Sequence, residues 1–138
     1  AQIELLDKQG KTDESRQLLA RQLAAHPESA YLQHALGMWL LHHGERAYAL
    51  LGLSKAVELE PNNQDYRYDL ATTLHAQEEL EAAQRQLEEI IQRHPANRKA
   101  RVLLVTYWTE SGQLQNVQVL LAQLEQQNPD DPALQQGL

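Results

Sequence analysis

One stretch of this chain decides how it folds: residues 61–97 read PNNQDYRYDLATTLHAQEELEAAQRQLEEIIQRHPAN. Between the two prolines the apolar residues form two stripes at helical spacing, namely Leu70, Ala71 and Leu74, then Leu80, Ala83, Leu87, Ile90 and Ile91. Each stripe predicts an amphipathic helix of about 12–15 residues, roughly 20 Å long. The second helix is expected to end before Pro95, because the residue that precedes a proline is driven out of the helical conformation. The stretch therefore predicts one pair of helices.

The helix pair recurs along the chain with a period of 34 residues, marked by Pro27, Pro61, Pro95 and Pro129. A pair of this length cannot bury its apolar face alone and must stack on its neighbours. We therefore predict an all-α solenoid of stacked antiparallel helix hairpins that forms a single domain over residues 1–138. The period divides it into a partial unit at 1–29, complete units at 30–63, 64–97 and 98–131, and the start of a terminal helix at 132–138.

Composition and charge exclude several classes of function. The 138 residues contain no Cys, so disulfides, zinc–thiolate sites and thiol nucleophiles are ruled out. The formal net charge of −7 argues against binding to phosphate backbones or anionic lipid. No apolar run approaches the roughly 20 residues of a membrane span. We therefore expect no nucleic-acid partner and no direct membrane insertion.

Each unit repeats the same order of small and large residues before its closing proline. These residues are Gly10, Ser15, Leu19 and Pro27; Leu36, Gly37, Ala49, Ala56 and Pro61; Leu70, Ala71, Ala83, Ile90 and Pro95; and Leu104, Val105, Val117, Leu124 and Pro129. In this pattern the chain resembles the tetratricopeptide repeat (TPR) family, in its bacterial type, over essentially its whole length. The resemblance implies a right-handed α-solenoid and a non-catalytic scaffold or adaptor without a cofactor. It also implies a protein or peptide partner, held in a concave groove that the first helices line.

Departures from the family pattern are expected to change local packing. The early aromatic residue of the first helix is replaced by Gln33, Arg67 and Arg101. Glu78 stands where the other units have a turn glycine. Val105 and Val117 put branched side chains where the family prefers Gly and Ala, so the third complete unit is predicted to pack differently.

The resemblance also assigns side chains of the first helices to the groove. They are Tyr31, His34, Met38, Leu41 and His42; Tyr68, Asp69, Thr72 and His75; and Val102, Thr106, Thr109 and Glu110. A surface of this composition suits an extended or helical peptide held by a few apolar anchors. The alternative is that Tyr31, Met38 and Leu41 are partly packed against a neighbouring helix and that Tyr68 fills a gap.

Some family members clamp the C-terminal carboxylate of a chaperone peptide with basic and amide side chains. The matching positions in this chain are His34, Met38, Asp69, Lys99 and Leu103. Lys99 fits such a clamp, but Asp69 would repel a carboxylate, so this chain is not expected to bind that ligand. The basic cluster formed by Arg98, Lys99 and Arg101 is interpreted as a solvated edge.

Neither a metal site nor an active site is predicted. His34, Met38 and His42 share one helical face, but about 12 Å separates the two histidines along the helix, which is too far to ligate one ion. The serines have no histidine and carboxylate at a spacing that supports nucleophilic catalysis. A glycine-rich phosphate loop is also missing from the sequence.

A second class of function stays open. In it, the chain is an accessory or assembly module of a larger bacterial envelope protein, of the multihaem cytochrome, secretion or pilus biogenesis type. The apolar residues Ile3, Leu5, Leu6, Leu134 and Leu138 are then expected to favour end-to-end self-association. The repeat frame is also that of a piece of a longer array. The sequence does not fix a compartment, and an envelope role favours the periplasm over the cytoplasm.

Overall fold

In the computed structural model, residues 12–127 are described, and they form seven α-helices without a β-strand. The helices are α1 (Thr12–Ala25), α2 (Ala30–His42), α3 (Arg46–Leu59), α4 (Gln64–Ala76), α5 (Leu80–Arg93), α6 (Arg98–Glu110) and α7 (Leu114–Gln127). From α2 onward a helix of 13 residues alternates with one of 14 residues, within the predicted range. The protein is an all-α solenoid of helical hairpins, which confirms the predicted fold class.

Several predictions concern the ends of the chain and lie outside residues 12–127. They are Gly10, Pro129, the terminal helix at 132–138 and the apolar residues Ile3, Leu5, Leu6, Leu134 and Leu138. Within the described part, each helix is too short or too polar to cross a membrane.

Each proline turn ends one helix and caps the next. α3 ends at Leu59 and α5 at Arg93, in both cases two residues before the proline. Two residues after the proline, a side-chain oxygen accepts a hydrogen bond from a backbone N–H: Ser29 from Leu32 at 3.2 Å, Asn63 from Tyr66 at 3.0 Å and Asn97 from Ala100 at 2.9 Å. Because the first N–H groups of a helix have no partner within the helix, these caps fix where α2, α4 and α6 begin.

The turn inside each hairpin uses one residue in the left-handed region of the backbone. The φ angle is +82° at Gly44, +64° at Glu78 and +75° at Gly112. The following N–H then bonds to a carbonyl five residues earlier, as that of Glu79 does to Leu74 at 2.9 Å. This is the Schellman closure of a helix end. Glu78 therefore preserves the turn although its Cβ makes this conformation unfavourable.

We expect Glu78→Gly to raise the free energy of unfolding by about 1 kcal/mol, because glycine adopts this φ without a clash of its own Cβ. The reciprocal change Gly112→Ala is expected to lower it by about 1 kcal/mol. A Cβ at Gly112 would meet none of the described atoms within 4 Å, so the backbone alone is strained there. Urea unfolding followed by circular dichroism measures both variants. A less stable Glu78→Gly variant would contradict the strain at this turn.

The core lies between the helices of each hairpin and the helix that follows. Its large, fully buried side chains are Leu19, Leu53, Leu87, Ile90, Leu104 and Leu124. α2 and α3 approach closely at Gly37 and Gly52, where an added Cβ on Gly52 would lie 2.8 Å from the carbonyl oxygen of Gln33. α6 and α7 contact each other less than the helices of the other two complete hairpins do. Val105 and Val117 pack against the buried cluster that extends from α4 to α7, and their effect on the packing of the third complete unit stays a prediction.

The polar residues that replace the early aromatic residue share one structural role. Gln33 Nε2, Arg67 Nε and Arg101 Nη1 donate to the carbonyl oxygens of Pro27, Pro61 and Pro95, at 3.3, 3.0 and 3.3 Å. Arg67 and Arg101 are only 8% and 4% exposed. The interpretation of Arg101 as part of a solvated edge is therefore wrong. Its side chain turns inward to the preceding proline turn and is held there by the carbonyl oxygen of Pro95.

Candidate functional site

The first helices of the three complete hairpins, α2, α4 and α6, contact one another through their side chains. Direct contacts join α2 to α4 and α4 to α6. We call the surface that the side chains of these three helices form the first-helix face. It comprises Tyr31, His34, Met38, Leu41, His42, Tyr66, Tyr68, Asp69, Thr72, His75, Lys99, Val102, Thr106, Tyr107, Thr109 and Glu110.

A histidine–carboxylate couplet joins α2 to α4. His34 Nε2 lies 2.7 Å from Asp69 Oδ2, and the two side chains are 20% and 33% exposed. The imidazole also stacks on the ring of Tyr66, with 4.6 Å between ring centroids and 23° between planes. Tyr66 precedes Asp69 by almost one helical turn, so one face of α4 holds both contacts. Burial raises the pKa of Tyr66, with smaller contributions from Glu60, Tyr31 and Asp65, so its ring stays neutral.

A second couplet of the same design joins α4 to α6. His75 Nε2 lies 3.1 Å from Glu110 Oε2, and the two side chains are 31% and 55% exposed. The imidazole stacks on Tyr107, with 3.8 Å between centroids and an interplanar angle of 5°. Burial raises the pKa of Tyr107, and Tyr68 and Glu110 add to the rise. In both couplets the tyrosine orients the imidazole, and the imidazole holds one carboxylate oxygen.

Lys99 is also engaged across helices. Its Nζ lies 4.0 Å from the centroid of the Tyr68 ring, which is a cation–π contact from α6 to α4. Tyr68 itself is half-buried and packs against the hydrophobic cluster that joins α4 to α7. Tyr68 therefore fills a gap between helices, as the alternative interpretation held, while its outer ring face carries Lys99.

The threonines of the face use their hydroxyl groups locally. Thr72 donates to the carbonyl oxygen of Asp69 at 3.0 Å, Thr106 to that of Val102 at 2.9 Å and Thr109 to that of Val105 at 2.7 Å. Since each hydroxyl proton is taken by its own helix, these side chains offer a methyl group and oxygen lone pairs to any ligand.

The remaining predicted groove residues differ in how far they project. Tyr31 is 65% exposed and Val102 is 41% exposed, and His42 is exposed at the end of α2. Leu41 is half-buried, and Met38 packs against the cluster of Leu53, Val57 and Leu70. The packing alternative therefore describes Met38 and not Tyr31. Among residues 12–127, His, Asp and Glu nowhere converge as a group of three that could hold a metal ion.

Sequence reasoning put both histidines and both carboxylates on one surface but missed their tyrosine partners. Tyr66 and Tyr107 each precede the carboxylate by three residues, and each histidine precedes it by 35 residues. Corresponding positions of neighbouring units are 34 residues apart, so a separation of 35 brings two side chains of parallel first helices together. That spacing, combined with Tyr-x-x-Asp or Tyr-x-x-Glu, is the signal that would have found the couplets.

Comparison with known proteins agrees with this repeat geometry. The sequence model described as tetratricopeptide repeat matches residues 74–138. Residues 74–138 therefore carry tetratricopeptide repeats. A comparison of the chain with curated proteins finds no match.

Solved structures share the fold of the TPR array. The crystal structure of MamA aligns with a TM-score of 0.74 at 18% identity, over 98% of this chain and 79% of that chain. YrrB, described as a TPR protein with an unusual peptide-binding site, aligns with a TM-score of 0.70 at 19% identity, over 97% and 69%. The first TPR of Spaghetti (RPAP3), bound to the HSP90 peptide SRMEEVD, aligns with a TM-score of 0.69 at 21% identity, over 80% and 88%. Likeness at these identities concerns the fold alone.

Proposed function

We propose that the TPR array is a non-catalytic scaffold or adaptor whose first-helix face binds a segment of a protein or peptide. The observation that carries the proposal is the exposure of Tyr31, which leaves 65% of an aromatic residue in solvent on this face. Tyrosine combines a large apolar ring with a polar tip, and such residues contribute much of the binding energy of protein interfaces.

The layout of the face supports the same function. Val102 exposes an apolar side chain on α6, two first helices away from Tyr31 on α2. α4, which lies between these two helices, contributes the polar groups of Asp69 and Thr72 to the face. Apolar anchors on either side of a polar strip suit a segment that crosses the first helices. RPAP3 and YrrB are TPR proteins described with a peptide and with a peptide-binding site, respectively.

The test uses peptides selected from a random displayed library against the immobilised array. We expect Tyr31→Ala to weaken their binding by about tenfold, because truncation removes the exposed anchor. Tyr48→Ala is the matched control, since Tyr48 is 64% exposed but lies on α3, a second helix. Fluorescence anisotropy of the labelled peptides measures the affinities.

Two results would count against the proposal. Peptides that bind wild type and Tyr31→Ala equally would place the contact elsewhere, most clearly if Tyr48→Ala weakened them. An array that selects no peptide but sediments as a concentration-dependent oligomer would instead support the assembly-module alternative, in which the ends make the contact.

A further inference from the structure

The charged side chains of the first helices differ in how accessible they are to a partner. α2 contains no Asp, Glu, Lys or Arg. On α4 and α6 the guanidinium groups of Arg67 and Arg101 turn inward to the proline turns, and Lys99 is held over Tyr68. Arg98 is exposed, but it is the first residue of α6 and lies at the opposite end of that helix from Glu110. The carboxylates of Asp69 and Glu110, in contrast, are 33% and 55% exposed. The accessible charge toward the C-terminal ends of the first helices is therefore negative.

Each of these carboxylates is held in a fixed orientation with one oxygen left over. Asp69 Oδ2 and Glu110 Oε2 are the atoms that contact the imidazole Nε2 groups. Within residues 12–127 the second oxygens, Asp69 Oδ1 and Glu110 Oε1, take part in none of the hydrogen bonds of the structure. An ionised carboxylate accepts several hydrogen bonds, so a partner's N–H groups can bind the second oxygen while the histidine keeps the first.

The C-terminal ends of the first helices add to this negative charge. The first helices are parallel, since each is separated from the next by one antiparallel second helix. Their C-terminal residues, His42, Ala76 and Glu110, therefore lie at one edge of the face. Helix C-termini carry partial negative charge and favour cations. Lys99 lies in the first turn of α6, about 16 Å along the helix from Glu110, and does not neutralise this edge.

Resting on the function proposed above, we infer that the first-helix face selects a cationic segment, in which two basic side chains pair with the outward oxygens of Asp69 and Glu110. Asp69 is the sixth residue of α4 and Glu110 the thirteenth of α6. This offset corresponds to about 10 Å along the helix axes. With one interhelical step of about 8–10 Å, the carboxylates are about 14 Å apart. An extended chain advances about 3.3 Å per residue, so the basic residues are expected about four positions apart.

The test compares labelled Ser/Leu peptides that differ in two residues placed four positions apart. The probes carry Arg, Gln or Glu at these positions, and the acidic peptide SRMEEVD, which the RPAP3 repeat binds, serves as a further anionic probe. We expect the Arg peptide to bind the full chain best, with an affinity that falls as salt is added. The two anionic peptides are expected to bind at least about tenfold more weakly.

Charge-neutralising variants locate the effect. Asp69→Asn and Glu110→Gln are each expected to weaken binding of the Arg peptide by about fivefold, and together by about twenty-fivefold, since the sites are far enough apart to act additively. Glu81→Gln removes an exposed acid from α5, a second helix, and is the matched control with no expected effect. Circular dichroism verifies that each variant is folded. Because Asp69 and Glu110 are both partly exposed, two independent folded variants are available.

The outcomes separate the cationic selection from the function on which it rests. If the Glu peptide binds as tightly as the Arg peptide, or if the double variant binds the Arg peptide like wild type, the cationic selection is overturned. If the cationic selection is overturned but library-selected peptides still depend on Tyr31, the proposed function of the first-helix face is retained without any preference for basic peptides. If peptides depend on Asp69 and Glu110 but not on Tyr31, the cationic contact holds and Tyr31 is not an anchor.

Discussion

Replacing Leu87 by alanine is expected to lower the free energy of unfolding of the TPR array by about 3–4 kcal/mol. Leu87 is 0% exposed and lies on α5, in the cluster of buried residues that includes Ala71 of α4, Leu104 of α6 and Leu124 of α7. Truncation to alanine removes buried apolar surface and leaves a cavity that rigid helices cannot close completely.

The loss of stability in Leu87→Ala should exceed that of a similar truncation near an end of the array. In a solenoid the stability is the sum of the units and of the interfaces between neighbours, so a defect in a central unit weakens the interfaces on both sides. Urea unfolding, followed by the ellipticity at the helical minimum, measures the loss. Leu51→Ala is the matched control: Leu51 is 69% exposed on α3, and its truncation is expected to change stability by less than about 0.5 kcal/mol. Equal losses in the two variants would contradict the assignment of Leu87 to the core.

The helix pattern was predictable because it rests on local chemistry that repeats. Prolines fix helix ends, the Ser or Asn that follows supplies the cap, and the apolar stripe sets the buried face. Pro61 with Asn63, and Pro95 with Asn97, act in this way in the structure. Each signal lies within one unit, so a single sequence contains it in full.

What could not be predicted depends on contacts between distant residues. The sequence suggests a solvated side chain for Arg101, because charged residues are usually exposed. Its burial follows from the place of the side chain against the preceding proline turn, where Pro95 accepts its hydrogen bond. Gly52 falls in the same category. Its importance comes from the distance to Gln33 on the facing helix, and no property of the local sequence reveals that distance.

The sequence predicts which surface carries the candidate site, but it does not predict which histidine contacts which carboxylate. The resemblance assigned His34, Asp69, His75 and Glu110 to one face, and the structure joins them as two couplets. The pairing depends on the register between neighbouring first helices, which packing of the second helices sets. A change of one residue in that register would separate each imidazole from its carboxylate. The couplets therefore also report how neighbouring units are aligned.

Gly52→Val is expected to lower the free energy of unfolding by about 3 kcal/mol and to weaken the first-helix face at the same time. A Cβ at this position would lie 2.8 Å from the carbonyl oxygen of Gln33 and 3.2 Å from the Cα of Gly37. Both atoms belong to the backbone of α2, which cannot move aside as the end of a flexible side chain can. Valine adds two further methyl groups, so α2 and α3 must separate.

This separation has a functional consequence because α2 carries Tyr31 and His34. If α2 moves, His34 is expected to lose its contact with Asp69, and peptides that depend on Tyr31 should bind more weakly to the folded variant at low temperature. Leu51→Val is the matched control, since it places the same branched residue at the adjacent, 69% exposed position of α3 and tests helix propensity alone. Its cost is expected to stay below about 1 kcal/mol. If Gly52→Val were as stable as Leu51→Val, the close approach of α2 and α3 would not depend on a glycine at position 52.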